Sequence, residues 1–462
     1  MITRRREAHR QAAPRPPGWT PQSILVAGFA GLIGIGAVLL RLPISSAGDP
    51  ISLLDALFTS TSAACVTGLV VADTGRDFTP FGQGVILLLI QAGGLGVMAF
   101  AAVAFDLLGR RLSLRAQTAF NESYFQVDAA TGFRKRLLRI LRMVATFEAI
   151  GAILLFLGLL GRLAPGPAAF SAVFHSISAF CNAGFSLYGA SLEGFHGNAL
   201  VLAPIAGLII VGGLGPPVLL ELLHVTRNRM RSTKHVPPIR MSLHTRIVLR
   251  TSLFLIIGGA VLLALTGMTS REGTIAEIAS GALFQSITAR TAGFNTVGIG
   301  ALPLASLLVL CVLMFIGGSP GSCAGGIKTT TAVLWLAQFT ARMRGRKGPS
   351  VLGRHIPGEL VRRASTLVGL ALLWNVCGVI LLAVTEASTD TATLHDLLFE
   401  QVSAFGTVGL STGLTPQLSI PGRLWIILTM FIGRVGPLTL AVWAFRQRTP
   451  GVRLPEGKVM IG

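Results

Sequence analysis

Phe58-Thr-Ser-Thr-Ser-Ala-Ala-Cys-Val-Thr-Gly68 is a stretch whose pattern returns three times further along the chain. Each copy has a Phe, a Ser or Thr four residues later, an Ala directly after it, and a Gly that precedes Leu or Phe. The later copies cover 174–184, 284–293 and 399–409, and the third is one residue shorter than the others. Chance does not produce four copies in one register, so the sequence predicts four tandem repeats.

Apolar stretches flank every copy of the motif. The preceding stretches cover 22–40, 141–160, 246–265 and 366–384, and Gly-rich ones follow at 80–105, 198–223, 304–338 and 421–445. Most have about 20 residues or more, which is enough for a helix to cross a hydrocarbon core of about 30 Å. The sequence therefore predicts two membrane crossings in each repeat.

The composition restricts the class of protein. Of the 462 residues, 52% are hydrophobic and 13% are charged, whereas a soluble domain has about 25% charged residues. This excludes a soluble nucleic-acid-binding protein, a disordered chain and a disulfide-rich secreted domain. The five cysteines form no CxxC pair, and we expect small buried side chains rather than metal ligands or disulfides.

The segment between the two apolar stretches of a repeat is too short to cross a membrane. Three of these segments begin with a capping-box pattern: Ser52 with Asp55, Thr274 with Glu277, and Thr393 with Asp396. We interpret the segments as pore helices that enter the membrane and stop at the Gly of the motif. The predicted fold is an all-α polytopic membrane protein with four tandem helix–pore helix–filter loop–helix repeats around a central pore and eight transmembrane segments.

The predicted domain boundaries follow from this pattern. Basic cytoplasmic tails cover 1–21 and 447–462. The four repeats cover 22–105, 141–224, 245–341 and 363–446, and the third contains an intramembrane loop at 317–326. Cytoplasmic linkers cover 106–140, 225–244 and 342–362.

The basic residues predict the orientation in the membrane. The formal net charge is +20, from 39 Lys+Arg against 19 Asp+Glu. With both termini cytoplasmic, 31 of the 39 lie in the N-terminal tail or within 110–142, 227–250, 342–363 and 446–458, which include the cytoplasmic ends of the adjoining helices. Six lie on the outer side, which satisfies the positive-inside rule. Every pore helix then lies on the outer side. Acidic residues of the outer loops are expected to form a negative vestibule that attracts cations: Asp49, Asp73, Asp77, Glu193, Glu272, Glu277, Glu386 and Asp390.

Four Gly-bearing loops can converge on one axis and present backbone carbonyl groups to it. Gly adopts backbone angles that other residues avoid, and a ring of carbonyls can replace the hydration shell of potassium. The partially negative C-terminal ends of four pore helices would favour a cation at the same point. The filter candidates are Cys65, Val66, Thr67, Gly68, Cys181, Asn182, Ala183, Gly184, Arg290, Thr291, Ala292, Gly293, Gly406, Thr407, Val408 and Gly409.

The loops, above all Thr288-Ala-Arg-Thr-Ala-Gly293-Phe-Asn-Thr296, resemble those of the Trk/Ktr/HKT superfamily of potassium transporters. The resemblance covers the chain from about Gln22 to Gly462. With eight long apolar segments and the ending Leu454-Pro-Glu-Gly-Lys-Val-Met-Ile-Gly462, the chain is most similar to KtrB-type bacterial subunits.

This resemblance implies several properties. In that family a Gly in all four filters implies potassium preference and a Ser in the first implies sodium permeation, so Gly68 implies potassium. Potassium is then the substrate, and no covalently bound cofactor is expected. The resemblance also implies a bacterial cell (inner) membrane protein that forms a homodimer with one pore per subunit. It implies a cytoplasmic nucleotide-binding regulatory subunit, a KtrA-type ring, as partner.

Gly and Pro residues at 315–331 interrupt the second apolar stretch of the third repeat. Gly321 and Gly326 have the spacing of a phosphate-binding loop, but Ile327 precedes the Lys and no strand leads into the segment. A flexible constriction below the filter fits better, the resemblance implies an intramembrane gating loop, and a packing kink is the alternative. The gate candidates are Gly317, Gly318, Ser319, Gly321, Gly325, Gly326, Lys328 and Arg434.

Four charged residues lie in or near the predicted crossings. Arg434 lies within the last one, and the resemblance suggests that it faces the pore as an electrostatic barrier to cations. Lys328 either lines the pore or extends into solvent. We expect Arg290 to brace the outer acidic groups, and Glu148 has no assigned partner.

Two further classes of function are alternatives to a potassium-translocating pore subunit. An alternating-access cation carrier of another fold is expected to have inverted repeats and broken helices in corresponding positions. Here the repeats share one orientation, and only one helix is expected to be broken. An enzyme would need catalytic groups in the crossings, and the sequence has no paired carboxylates, HExxH or Ser–His couple there.

Overall fold

A computed structural model describes residues 21–96, 133–231, 240–267, 274–346, 348–387 and 392–436. Most of the predicted tail 1–21, the tail 447–462 and most of the linker 106–140 lie outside these ranges. The described part is almost entirely helical, with one short hairpin of Ser350–Val351 (β1) and Arg354–His355 (β2). Its α-helices, numbered α1 to α13 in chain order, are Pro21–Arg41, Leu53–Ala64, Pro80–Gly94, Phe133–Leu159, Pro165–Cys181, Ala199–Arg231, Leu243–Leu265, Ile275–Thr288, Leu304–Phe315, Thr329–Met343, Gly358–Thr385, Leu394–Gly406 and Ile420–Val435.

Several helices have the length and composition of membrane spans. Four in the described ranges are long and apolar enough to cross a membrane: Leu137–Leu159, Ala199–Met230, Leu243–Leu265 and Gly358–Thr385. Shorter apolar helices accompany them at Leu25–Arg41, Pro80–Gly94 and Leu304–Phe315. Large apolar side chains point away from the protein on these helices; Phe254 is 74% exposed and Ile380 is 60% exposed. Such faces are stable in lipid rather than in water, as expected of a multi-pass membrane protein.

Side-chain caps fix the starts of helices α2, α8 and α12. Thr274 and Glu277 form a reciprocal capping box at the start of α8. Hydrogen bonds from the backbone and side chain of Thr274 hold the pKa of Glu277 below its usual value. The helix starts predicted from the capping patterns are confirmed at Ser52 with Asp55, Thr274 with Glu277, and Thr393 with Asp396.

Contacts between the helices close a ring. Helices α1, α2 and α3 contact one another, as do α4, α5 and α6, and also α11, α12 and α13, while α7 contacts α8, α9 and α10. Between these groups, α3 contacts α5, α6 contacts α8, α9 contacts α12, and α13 returns to α2. An ion pair of 2.6 Å between Arg423 Nη1 and Asp55 Oδ1 joins the last group to the first. The four helices that carry the motif, α2, α5, α8 and α12, therefore surround one centre, and we call them the short helices.

The expectation that only the third repeat contains a broken helix is wrong. The third repeat is interrupted between α9 and α10, but α6 is also interrupted, at Gly215, where φ is 77° and ψ is 161°. A positive φ is inexpensive for Gly, and the two prolines that follow lack the N–H groups that would continue the helix. Helices α3 and α13 end ahead of Gly96 and Gly436, whose φ angles are 80° and 92°. The remainder of those two predicted crossings lies outside the described ranges.

The cysteines follow the expectation of burial with one clear exception. Cys65, Cys181 and Cys323 are buried and Cys311 is half-buried, whereas Cys377 is exposed on α11. The outer face of α11 carries exposed apolar residues, so a small apolar side chain is stable there against lipid without burial in the protein.

Candidate filter loops and the adjoining intramembrane loop

The four motif loops share a strained backbone. We number them loops 1 to 4 by their glycines, Gly68, Gly184, Gly293 and Gly409. In each loop, both the Gly and the residue two positions before it have positive φ; these preceding residues are Val66, Asn182, Thr291 and Thr407. A positive φ is uncommon outside Gly and costs about 1–3 kcal/mol, so contacts around each loop must hold it.

The Ser or Thr of the motif holds each loop. In loop 1 the N–H of Thr67 donates to the carbonyl oxygen of Ser62 at 2.7 Å, and the Ser62 hydroxyl accepts from the N–H of Gly68 at 3.0 Å. Loops 2 and 4 make the same backbone bond. In loop 3 the bond runs from Ala292 to Thr288 at 2.8 Å, which closes a turn one residue shorter. The shorter third copy of the motif therefore keeps its Gly in the same place.

The motif glycines form a closed ring. A β-carbon on each Gly would meet the carbonyl oxygen directly before the Gly of the next loop: Gly68 with Ala183, Gly184 with Ala292, Gly293 with Val408, and Gly409 with Thr67. At Gly184 the separation would be 2.8 Å, shorter than the usual carbon–oxygen contact of about 3.3 Å. The obstacle is backbone, which no rotamer change moves, so any larger residue would displace the neighbouring loop and alter the ring. The cyclic order places loop 1 opposite loop 3, and loop 2 opposite loop 4.

The predicted filter residues are almost all buried, but only some of them contact the ring of motif glycines. All are buried except Gly184 and Gly409, which are half-buried. The ring contacts bring together the Gly and the residue directly before it in every loop. The first residue of each predicted set packs elsewhere: Cys65 in an apolar cluster, Cys181 against Gly94, Arg290 toward Gly317, and Gly406 against the carbonyl of Met314.

Arg290 has a different role from the one expected. Its side chain is 8% exposed and donates at 3.3 Å to Ser252 Oγ and to the carbonyl oxygen of Gly317. No ion pair to an outer acidic residue is present in the described ranges, so the expected brace is wrong. A cavity of about 20 Å³, large enough for one water molecule, adjoins Arg290. Arg290 therefore joins loop 3 to the first residue of the intramembrane loop.

The intramembrane loop packs directly against two of the motif loops. A β-carbon on Gly325 would overlap Thr407 Oγ1, and one on Gly317 would lie 3.3 Å from Thr291 Cγ2. The N–H of Gly317 donates to the carbonyl oxygen of Ile327 at 2.9 Å and closes the base of the loop. Of the predicted gate residues, Gly317, Gly325 and Gly326 lie beside loops 3 and 4. The others contact Gly213 or Pro217 of α6; they are Gly318, Ser319 and Gly321.

The intramembrane loop binds α6 at its break, which the sequence did not predict. The N–H and hydroxyl of Ser319 donate to the carbonyl oxygen of Gly213 at 3.1 and 3.0 Å, and the hydroxyl also reaches the carbonyl of Leu214. A β-carbon on Gly215 would lie 2.7 Å from Ser322 Cα. The interruption of α6 frees carbonyl groups that the loop then uses.

Arg434 and Lys328 both bind the intramembrane loop. The Arg434 guanidinium donates to the carbonyl oxygens of Cys323, in the loop, and Gly93, at the end of α3. Lys328 Nζ donates to the carbonyl oxygen of Ala324, and the side chain is half-buried. Lys328 thus folds back onto the loop rather than extending into solvent, and its lining of the pore stays a prediction.

Three glycines outside the predicted sites allow three of the short helices to pack closely against the helices that follow them. A β-carbon on each would overlap the carbonyl oxygen of the residue after the motif Ala: Gly93 with Ala64, Gly212 with Phe180, and Gly433 with Phe405. Each begins a Gly-Gly-x-Gly sequence, at 93–96, 212–215 and 433–436, in which Arg434 replaces the second Gly of the last copy. This second repeated pattern is the signal that could have found them.

Gln91 is a second residue that the sequence did not indicate. Its Nε2 donates to Glu148 Oε2 at 3.2 Å, and its Oε1 accepts from Cys181 Sγ at 3.5 Å. Glu148 therefore has a partner, and the contact links α4 to the end of the second short helix through α3.

One of the acidic residues predicted to line an outer vestibule is buried in the protein. Glu386 is 3% exposed and accepts hydrogen bonds from the N–H and hydroxyl at the start of α13, so the expectation is wrong for this residue. Glu193 accepts from Asn295 Nδ2 at 2.8 Å, which ties the outer segments of the second and third groups together. Glu272 and Asp390 lie outside the described ranges.

The family model for the cation transport protein TrkH matches residues 20–450 of the chain. The chain belongs to the TrkH family of cation transport proteins. It is 38% identical over 452 residues to the Ktr system potassium uptake protein B of Bacillus subtilis, an alignment covering 96% of this chain and 97% of that protein. It is 36% identical over 451 residues to the potassium/sodium uptake protein NtpJ of Enterococcus hirae, with coverage of 96% and 97%.

Members of the TrkH family are transporters rather than enzymes, and the full-length similarities identify this one as KtrB-type. The Ktr system potassium uptake protein B of Vibrio alginolyticus is 37% identical over 451 residues, with coverage of 96% of this chain and 95% of that protein. The crystal structure of the potassium transporter TrkH from Vibrio parahaemolyticus superimposes with a TM-score of 0.71 at 19% identity. That superposition covers 95% of this chain and 86% of the other and supports the fold.

Proposed function

We propose that this chain is the potassium-translocating pore subunit of a bacterial potassium uptake system. The observation that carries the proposal is the closed ring of Gly68, Gly184, Gly293 and Gly409. Four short helices end at this ring, and the partially negative ends of their backbones favour a cation there. The relatives from Bacillus subtilis and Vibrio alginolyticus are named potassium uptake proteins, which agrees with the ion proposed.

In this proposal the backbone carbonyls of loops 1 to 4 select the ion. Carbonyl groups around the ring would replace the hydration shell of potassium, and the strained φ angles two residues before each Gly would help to aim them. Close packing of the loops on one another makes the ring size a property of the whole fold. Potassium enters as the substrate, and no covalently bound cofactor is proposed.

We propose that residues 317–326 form the gate. Their contacts with Thr291 and Thr407 support this role because any movement of the loop must alter its packing against loops 3 and 4. Arg434 binds the loop and is proposed to place a positive charge beside the ion path, where it would oppose cation passage.

The repeated elements support a wider architectural proposal. We propose four tandem repeats at 22–105, 141–224, 245–341 and 363–446 around one pore, with eight crossings of the inner membrane and both termini in the cytoplasm. The same proposal places the tails 1–21 and 447–462 and the three linkers in the cytoplasm, and it includes a homodimer with one pore per subunit. A cytoplasmic nucleotide-binding ring of the KtrA type is the proposed regulatory partner, and the name of the Ktr system relatives supports a multi-component system.

An alternating-access cation carrier stays the alternative, because two helices rather than one are broken in the described ranges. The closed ring favours the pore, since a carrier has no need of four loops in mutual contact. The discriminating experiment is growth of a potassium-uptake-deficient host at submillimolar potassium with the partner supplied. Rescue by the wild type, together with increased sodium permeation in Gly68→Ser, supports the pore. Failure of rescue with the protein confirmed in the membrane contradicts it.

A further inference from the structure

The residue directly after the motif Phe is polar in all four short helices. These residues are Thr59, His175, Gln285 and Glu400, and none is more than 2% exposed. A buried polar group is costly unless it is hydrogen-bonded, so the partners of the four side chains are informative.

Glu400 binds the chain that leaves loop 4. Its Oε1 accepts from the hydroxyl of Ser411 and, at 3.2 Å, from the N–H of Thr412. Its Oε2 accepts from Thr415 Oγ1 at 2.7 Å. Three donors on one buried carboxyl group fix residues 411–415 against the helix behind loop 4.

His175 makes the equivalent contact in loop 2. His175 Nε2 lies 3.0 Å from Ser186 Oγ, and Nδ1 lies 2.8 Å from the carbonyl oxygen of Ser171. With Nδ1 as the donor to that carbonyl, Nε2 accepts from the Ser186 hydroxyl. Ser186 follows its Gly by two positions, as Ser411 does in loop 4. The imidazole also stacks on Tyr188 with 4.9 Å between ring centroids.

The other two positions have no such contact. Thr59 Oγ1 and both polar atoms of the Gln285 amide are buried without a hydrogen-bond partner in the described ranges. Asn295, two positions after the Gly of loop 3, is held instead by Ser191 Oγ and Glu193 Oε1 from the chain that follows loop 2. Loops 2 and 4 lie opposite each other in the ring, so the loops braced by their own short helix occupy one diagonal.

We propose that His175 and Glu400 are positioning residues that hold loops 2 and 4 across the ring and so determine discrimination between potassium and sodium. This inference rests on the proposed function. Neither side chain is among the ring contacts; each fixes the segment just beyond its Gly, and through it the position of that Gly. Loops 1 and 3, which lack the brace, follow the positions set by the other two.

The test compares variants at the same helix position in purified full-length protein, reconstituted in vesicles together with its partner. Glu400→Ala removes the acceptor, and Ser411→Ala removes one donor without altering Glu400. Thr59→Val and Gln285→Met are the controls, because they change side chains with no partner. Uptake of potassium and of sodium is measured in the same vesicles.

The braced loops should control selectivity and the unbraced ones should not. We expect Glu400→Ala to lower the potassium-to-sodium ratio about tenfold, which corresponds to a change of about 1.4 kcal/mol in relative binding. Ser411→Ala should lower it less, and Glu400→Gln, which keeps one oxygen acceptor, should restore part of the ratio. His175→Ala should act in the same direction, with both controls near the wild type.

Two results would overturn the inference. One is an unchanged ratio in Ser411→Ala and Glu400→Gln while both variants are folded by size-exclusion chromatography, even if Glu400→Ala fails to fold. The other is an equal loss of the ratio in Gln285→Met. A wild-type protein that takes up no potassium would instead contradict the proposed function, so the two failures are distinguishable.

Discussion

Replacing Gly212 with Ala should destabilise the protein, because this position has no room for a side chain. A β-carbon there would overlap the carbonyl oxygen of Phe180 and lie 2.9 Å from the Phe180 carbonyl carbon and 3.0 Å from the side-chain amide of Asn182. The obstacle is the backbone at the end of a short helix, so the two helices must separate. Overpacking of this kind costs about 1–3 kcal/mol. The displacement would also reach Gly184, which lies a few residues further along the chain.

Gly207 on the same helix is the matched control. A β-carbon on Gly207 would meet nothing within 4 Å, and the residue is exposed. Gly207→Ala therefore gains only the higher helix propensity of Ala, about 0.5–1 kcal/mol. Because both positions lie in α6 and share the propensity gain, the free energies of unfolding of the two variants should differ by the overpacking cost, about 1–3 kcal/mol.

The assay is thermal denaturation in detergent followed by size-exclusion chromatography, with potassium uptake measured in vesicles. Gly207→Ala should match or exceed the wild type in both measurements, and Gly212→Ala should lose monodispersity at a lower temperature and lose uptake. Equal stability and uptake of the two variants would show that the contact between α6 and Phe180 does not constrain the second short helix, and the reasoning would fail.

Three further predictions concern charged residues. Arg434→Ala removes the charge bound to the intramembrane loop and should raise potassium flux in vesicles; unchanged flux at normal expression would contradict the barrier. Arg290→Met leaves the carbonyl of Gly317 without its donor and should lower uptake about tenfold, since losing a hydrogen bond from a charged group costs about 1.5–3 kcal/mol; wild-type uptake would exclude a link between loop 3 and the intramembrane loop. The pair of Arg423 and Asp55, both about a quarter exposed, should contribute about 0.5–1 kcal/mol in a double-mutant cycle on thermal stability, and less at high salt. A coupling of zero at low salt would show that this pair does not help to close the ring of helices.

Much of the fold was predictable from local sequence. The repeated Ser or Thr and the repeated Gly have a local reason, because Ser62 and Thr288 close the turns that carry their own glycines. The capping patterns also act within one helical turn, and the helix starts at Ser52 and Thr274 follow from them. Local hydrogen bonds of this kind are encoded in spacing alone.

The side-chain partners were not predictable in the same way. Arg290 was expected to meet outer acids, but it meets a carbonyl of the intramembrane loop. The reason for the break at Gly215 is found only in the structure, where Ser319 donates hydrogen bonds to the carbonyl of Gly213 beside it. Glu148 and Gln91 lie in different groups, and nothing in their spacing relates them.

The sequence by itself determined the number of motif copies, their common register, the apolar segments beside them and the asymmetry of basic charge. Each of these depends on residues close together in the chain, where hydrophobicity and backbone preference act directly. Only the tertiary structure decided the order of the loops around the ring, the diagonal on which His175 and Glu400 lie, and the contact of Arg434 with Gly93. Those features depend on which helices pack together, and packing is a property of surfaces assembled from distant segments.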